Sequence, residues 1–277
     1  MNLIKYFTKI NILPSKLLLS LEKKKNDYIK KKKVIWHITT PRCGSTSLME
    51  YFRDEFKNVG FGPFQTFPYQ ENRFQNICSQ TVFNTIFFRK EKFFFSTHSH
   101  TLATNDFLNL ISSNHLVILQ YRSIEETLNS LFFYLKDGVY KNPKLIHKGL
   151  NFWLPFGFNS NSDEEKFLEL IYSYVPWHIN FLKGWILESN SSFEKIFINF
   201  NEINKNFPNV KKKLNKIFEN KFDISLSENN LNKFNENPRN YKSLINNKHR
   251  EVINEIKNSM LKVEEIEKIK LHDEHLI

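Results

Sequence analysis

The run Val34-Ile35-Trp36-His37-Ile38 is short, apolar and rich in β-branched and aromatic residues, and it stops at Thr39-Thr40-Pro41. An apolar run of that length ending at a proline turn fits a strand buried on both faces. Immediately after it, Leu48, Tyr51, Phe52 and Phe56 recur at the spacing of one helix face over residues 45–57. Strand, tight loop and helix therefore follow one another within residues 34–57. Residues 92–96 and 115–121 read as two further strands, each followed by a helical pattern, over 105–111 and 124–135. Residues 196–200 read as a fourth strand, and 210–218 and 251–261 as surface helices. Strands that alternate with helices need crossover connections, so the expected fold is α/β: a single domain with a central parallel sheet flanked by helices.

This domain is expected over residues 32–277, preceded by a basic N-terminal segment, 1–31, in which Pro14-Ser15 opens a helical pattern through Leu17, Leu18 and Leu21. Packing of that segment on the domain is the first reading, and peripheral contact with an anionic membrane the second. Gly60, Gly62, Pro63 and Pro68 make residues 58–80 read as irregular. Residues 137–161, with Pro143, Trp153, Pro155 and Gly157, read as a long functional loop or lid, and Ser162-Asp163-Glu164-Glu165 as a capping box that opens a long helix. No internal repeat is visible.

The chain carries 40 Lys and Arg against 29 Asp and Glu, a net charge of +11 that favours a polyanionic partner. Its 40% hydrophobic content excludes a disordered chain. Two cysteines, Cys43 and Cys78, cannot build a disulfide framework, and no CxxC pair offers a metal site. The apolar pieces near the N-terminus are too short for a signal-peptide core, and no run reaches spanning length, so a cytoplasmic location is expected.

The loop Thr39-Thr40-Pro41-Arg42-Cys43-Gly44-Ser45-Thr46-Ser47 joins the first strand to a helix N-terminus. Such a turn gathers backbone N–H groups and the positive helix end at one point, which suits a phosphate. Ser45, Thr46 and Ser47 add hydroxyls, Gly44 allows close backbone approach, and Arg42 supplies a charged fork. It is P-loop-like in its strand-loop-helix plan but lacks the Walker A pattern GxxxxGK[ST]. The alternative is an ordinary Ser/Thr helix cap. The strand over 115–121 ends at Arg122, with Ser130 on the following helix, and neighbouring parallel strands open toward one crevice. A magnesium-dependent NTPase usually shows an acidic residue at such a strand end; Arg122 suits a phosphate better. Its alternative is an ion pair with Glu125 or Glu126.

These motifs resemble those of the sulfotransferases that use 3′-phosphoadenosine-5′-phosphosulfate. Thr40-Pro41-Arg42-Cys43-Gly44-Ser45-Thr46 is similar to the family's loop for the 5′-phosphosulfate, and Tyr121-Arg122 with Ser130 to its 3′-phosphate pair. Ser96-Thr97-His98 resembles the strand end whose histidine is the family's base, with His100 as competitor. Ile198-Asn199-Phe200-Asn201-Glu202 resembles a Tyr-Glu-Asp strand end more weakly, and Pro238-Arg239-Asn240-Tyr241-Lys242 the segment that closes over the nucleotide. The sequence departs from many cytosolic members at Arg42, where they have Lys, at Ser47, where they have Trp, and in lacking their late Arg-Lys-Gly.

The resemblance implies sulfuryl transfer to a hydroxyl or amine of a carbohydrate, lipid or small molecule, with no metal. It implies His98 and Arg42 as catalytic residues. The donor site would comprise Arg42, Cys43, Gly44, Ser45, Thr46, Ser47, Arg122, Ser130, Phe200 and Arg239. Cys43 reads as a small buried residue rather than a nucleophile. Two alternatives remain: an ATP- and Mg²⁺-dependent small-molecule kinase, and a non-enzymatic basic module for nucleic acid or anionic membrane. The resemblance does not favour a nucleic-acid partner.

Overall fold

Val34–Thr39 forms strand β1, and all six of its side chains are buried. In the computed structural model, which describes residues 15–56, 60–62, 79–87, 91, 93–139, 162–187, 193–227 and 243–272, β1 lies at the centre of a five-stranded sheet. The other strands are β2 (Gly60–Gly62), β3 (Phe94–Ser96), β4 (His115–Tyr121) and β5 (Glu194–Asn199), in the order β2-β3-β1-β4-β5. Each neighbouring pair runs parallel. From β1 the chain crosses to β2 at the edge and returns through β3, whereas from β4 it goes on to β5 on the other side, so the carboxyl ends of β1 and β4 flank the point where the winding reverses.

Residues of β4 divide between two cores with the period-two alternation of a strand. Val117, Leu119 and Tyr121 join Trp36 on one face, and Leu116 and Ile118 join Ile35 on the other. The first face is covered by α1 (Ser15–Lys31), α3 (Ser79–Phe87), α5 (Ile124–Phe133) and α6 (Asp163–Leu182). The second is covered by α2 (Ser45–Glu55) and α7 (Phe200–Phe222). The other described α-helices are a short one, α4 (Asn105–Leu108), and two C-terminal ones, α8 (Asn247–Met260) and α9 (Val263–His272), and α6 runs on into a π-helical turn over Lys183–Leu187. The result is one α/β domain with a small parallel sheet flanked by helices.

The many phenylalanines have a structural use. Phe52 lies 4.7 Å from Phe95 and 5.9 Å from both Phe56 and Phe218, ring to ring. Full burial of each such ring is worth about 1.5–3 kcal/mol. The end of α1 is tied to the sheet: Trp36 Nε1 donates to His115 Nδ1 at 3.1 Å, leaving His115 Nε2–H to donate to the Ile29 carbonyl at 3.1 Å. Ser162 caps α6 through the expected capping box.

Several sequence expectations are corrected. Gly60–Gly62, read as irregular, forms an edge strand because the neighbouring β3 supplies the pairing its composition does not favour. Helix α3 was not anticipated. The helix expected over 210–218 is the second half of α7, which begins at Phe200 because Asn199 caps it, its side chain accepting from the Asn201 amide. Asn206, at φ −152°, kinks α7 just ahead of Pro208. The strand at β5 consequently ends at Asn199, before Phe200. The helix after β4 widens at Tyr134–Val139 into a π-helical turn. Residues 1–14, 63–78, 140–161 and 228–242, which hold Cys78, the long loop and Arg239, lie outside the described residues. No helix among the described residues is long and apolar enough to cross a membrane.

Candidate functional site at the carboxyl edge of the sheet

The loop after β1 is held against β4 from its first residue. The Thr40 amide donates to the Gln120 carbonyl at 2.9 Å, and the Arg122 amide donates to Thr40 Oγ1 at 3.2 Å. Arg42 and Gly44 both occupy the left-handed region, at φ 59° and 76°. An arginine there is strained, a cost of about 1–2 kcal/mol that the surrounding contacts must offset. Gly44 is also the N-cap of α2 and makes no side-chain cap hydrogen bond, so the Ser/Thr-cap alternative is not what is observed. Ser45 is buried, Ser47 half-buried and Thr46 exposed.

Gln120, on β4, fixes the loop from beneath. Its Nε2 donates to the Cys43 carbonyl at 2.5 Å, and its Oε1 therefore accepts from His37 Nε2–H at 2.8 Å. That assigns the His37 tautomer and leaves Nδ1 as a buried lone pair with no hydrogen-bond partner. Cys43 is fully buried with Sγ toward the Gln120 carbonyl, and burial pushes its thiol up to about 12, so it is inert as a nucleophile.

Above this floor the separated motifs meet. Arg42 Nε donates to Ser130 Oγ at 3.4 Å, and its guanidinium stacks 4.4 Å from the Tyr134 ring centroid. Arg122 Nη1 donates to the Arg42 carbonyl at 3.4 Å, and its guanidinium lies 4.4 Å from the Phe200 ring centroid. Phe200 in turn covers Gly44, where a Cβ would come within 2.7 Å of its ring. Arg42, Gly44, Arg122, Ser130 and Phe200 thus form one contiguous surface. Arg122 also makes the ion pair anticipated as its alternative, Nε to Glu126 Oε2 at 3.4 Å.

His98 sits on a bulge. Ile35 pairs with Phe95 and Ile38 bridges to Ser99, so three steps along β1 face four on the other strand. The hydroxyl of Ser96 fills the break by accepting from the His37 amide at 2.8 Å. The His98 ring lies 6.3 Å from His37 and 5.8 Å from His100. Burial, with the two neighbouring imidazoles, holds His98 well below the ordinary histidine range. His100 Nδ1–H donates to the Thr39 carbonyl at 2.8 Å, and burial lowers it to about 4 against that bond's opposing effect. Both rings are neutral at pH 7, and the same burial that keeps them so opposes their taking up a proton. No group of three or more His, Cys, Asp or Glu residues among those described is placed to hold a metal ion.

Gln120, His37 and Tyr134 are site residues that the sequence does not single out. The signal for the first two was a polar side chain in a strand otherwise apolar. The sequence matches no protein-family model and no curated protein.

Proposed function

We propose that this edge of the sheet binds 3′-phosphoadenosine-5′-phosphosulfate and that the protein transfers its sulfuryl group to a hydroxyl or amine of a carbohydrate, lipid or small molecule. The observation that carries the reading is the meeting of Arg42 with Ser130 and Arg122, residues that belong to two motifs far apart in the chain. The donor set suits the nucleotide: two guanidiniums and a hydroxyl for phosphate oxygens, beside the N-terminal amides of α2. The nucleotide supplies an activated sulfuryl group. Arg42 and the loop amides hold the negative charge that grows on the leaving phosphate, and Arg122 with Ser130 anchors the 3′-phosphate. In this reading His98 takes the acceptor proton, with His100 as the competing base; burial lowers the basicity of both, so the role requires the bound acceptor and nucleotide charge to favour the protonated ring. Arg239, on the segment that would close over the nucleotide, belongs to the same reading.

The test is calorimetric titration with adenosine 3′,5′-bisphosphate and with ATP, each with and without Mg²⁺. Metal-independent binding of the bisphosphate is expected. Arg122→Ala should weaken it about 10- to 100-fold, the worth of charge-assisted hydrogen bonds to one phosphate. Binding of ATP only with Mg²⁺ would replace this reading with a kinase. Binding of nucleic acid or anionic vesicles that survives Arg122→Ala, with no nucleotide bound, would replace it with a basic docking module.

A further inference from the structure

We infer that Glu126 is an internal anion of the Arg122 site, seated on the guanidinium until a phosphate displaces it, and that it thereby sets the affinity of the site and its preference for doubly charged groups. The inference rests on the phosphate reading above. One carboxylate oxygen, Oε2, accepts from Arg122 Nε at 3.4 Å, from Ser123 Oγ at 3.1 Å and from Asn201 Nδ2 at 3.4 Å. A cationic donor, a hydroxyl and an amide converging on one anionic oxygen are the set a phosphate oxygen would use.

The seat is loose. Charge-assisted N–H···O bonds settle near 2.7–2.9 Å, as a general rule, and this one is longer. The Glu126 side chain is 39% exposed against 19% for Arg122, so solvent screens the pair. The other supports of Arg122, the Phe200 ring and the Arg42 carbonyl, do not involve Glu126. The guanidinium can therefore exchange anions without moving. Glu126 also has somewhere to go. Together with its partners Ser123 and Asn201 it lines a cavity of about 490 Å³ that Lys205, Arg250, Asn254 and Lys257 also border. Arg250 already holds Glu125 at 3.2 Å, and Lys257 donates to Asn254 Oδ1 at 2.9 Å, so Lys205 and Lys257 are the other cations bordering the space into which a released carboxylate would turn. A dianionic phosphate outcompetes a single carboxylate for the arginine, whereas a monoanion gains little over it.

The test titrates adenosine 3′,5′-bisphosphate and, separately, inorganic pyrophosphate into the full chain as wild type, Glu126→Gln, Arg122→Ala and the double variant. Glu126→Gln should bind both ligands about three- to tenfold tighter than wild type, the reverse of what a lost structural contact does. The gain should vanish in the Arg122→Ala background, which isolates the pair. Glu126→Asp is one methylene too short to reach Arg122 and keeps the charge at the helix start; it should tighten binding too, and it serves if Glu126→Gln fails to fold. Equal or weaker binding by the Glu126 variants, or a gain that persists without Arg122, overturns the proposal. If pyrophosphate binds and the bisphosphate does not, the nucleotide reading fails while the pyrophosphate comparison still decides the role of Glu126. If no protein in the set binds either ligand, both fall.

Discussion

Acidification from pH 7 should unfold this protein cooperatively, with a midpoint near pH 5 rather than in the carboxylate range. Burial lowers His37, His100 and His115 to about 4 and His178 to about 3. The unfolded chain binds protons at these four positions as the pH drops through about 6.5, while the folded chain keeps them neutral. Their contribution to stability is whole above pH 6.5 and is lost progressively down to about pH 4, where the folded-state groups themselves titrate, and lower still for His178. Each costs about 1.4 kcal/mol per pH unit within that window, so the four together remove about 5 kcal/mol per unit. A domain stable by about 5–15 kcal/mol exhausts that within a few units. Circular dichroism against pH, with proton uptake measured on unfolding, checks this. Retention of the fold at pH 3.5, or uptake of fewer than two protons, would contradict the buried neutral histidines.

Gly44→Ala is expected to destabilise the fold by about 2–3 kcal/mol and to reduce bisphosphate affinity more than tenfold. Two effects add. At φ 76° any L side chain is disfavoured, and the new Cβ would lie 2.7 Å from Phe200 Cε2 and 3.0 Å from Cδ2. The ring must move, and it carries the Arg122 guanidinium on its face. Adding Phe200→Ala removes the collision and leaves the backbone cost, so the double variant should recover part of the stability and none of the loop geometry. Denaturant unfolding together with titration separates the two. An alanine variant as stable as wild type would mean that the loop does not hold this conformation.

The strands easiest to read from sequence are those buried on both faces. β1 and β4 are apolar apart from a few polar residues such as His37 and Gln120, because helices cover each side, and their limits follow to within a residue. β2 was illegible: Gly60-Phe61-Gly62 has weak strand propensity, and only pairing with Phe94–Ser96 makes it one. The first half of α7 was hidden by Pro208, which reads as a breaker yet sits where a second helix begins after the kink at Asn206. Within the site, the loop glycine, Arg122 and Ser130 stand out as a pattern, whereas the sequence leaves Glu125 and Glu126 as equal candidates for the ion pair with Arg122, and the structure selects Glu126. The contact of Arg42 with Ser130 is not legible in the sequence, nor is the role of Gln120. Both depend on the register that sets Thr39 beside Gln120, a property of strand pairing that no local window contains.

The central position of β1 also bears on how the chain comes to be folded in a cell. Its two neighbours, β3 and β4, are both made after it, and the longer pairing, from Val34 with His115 to Thr39 with Gln120, is with the later of the two. At about 5–20 residues per second, the interval between synthesis of β1 and of β4 is on the order of ten seconds. Throughout that time an apolar segment with open backbone groups on both edges has left the ribosome, or is leaving it, without its main partner. The strand that carries the candidate loop is therefore a segment that a holding chaperone would protect during synthesis, and its pairing with β4 is complete only when Gln120 has been made.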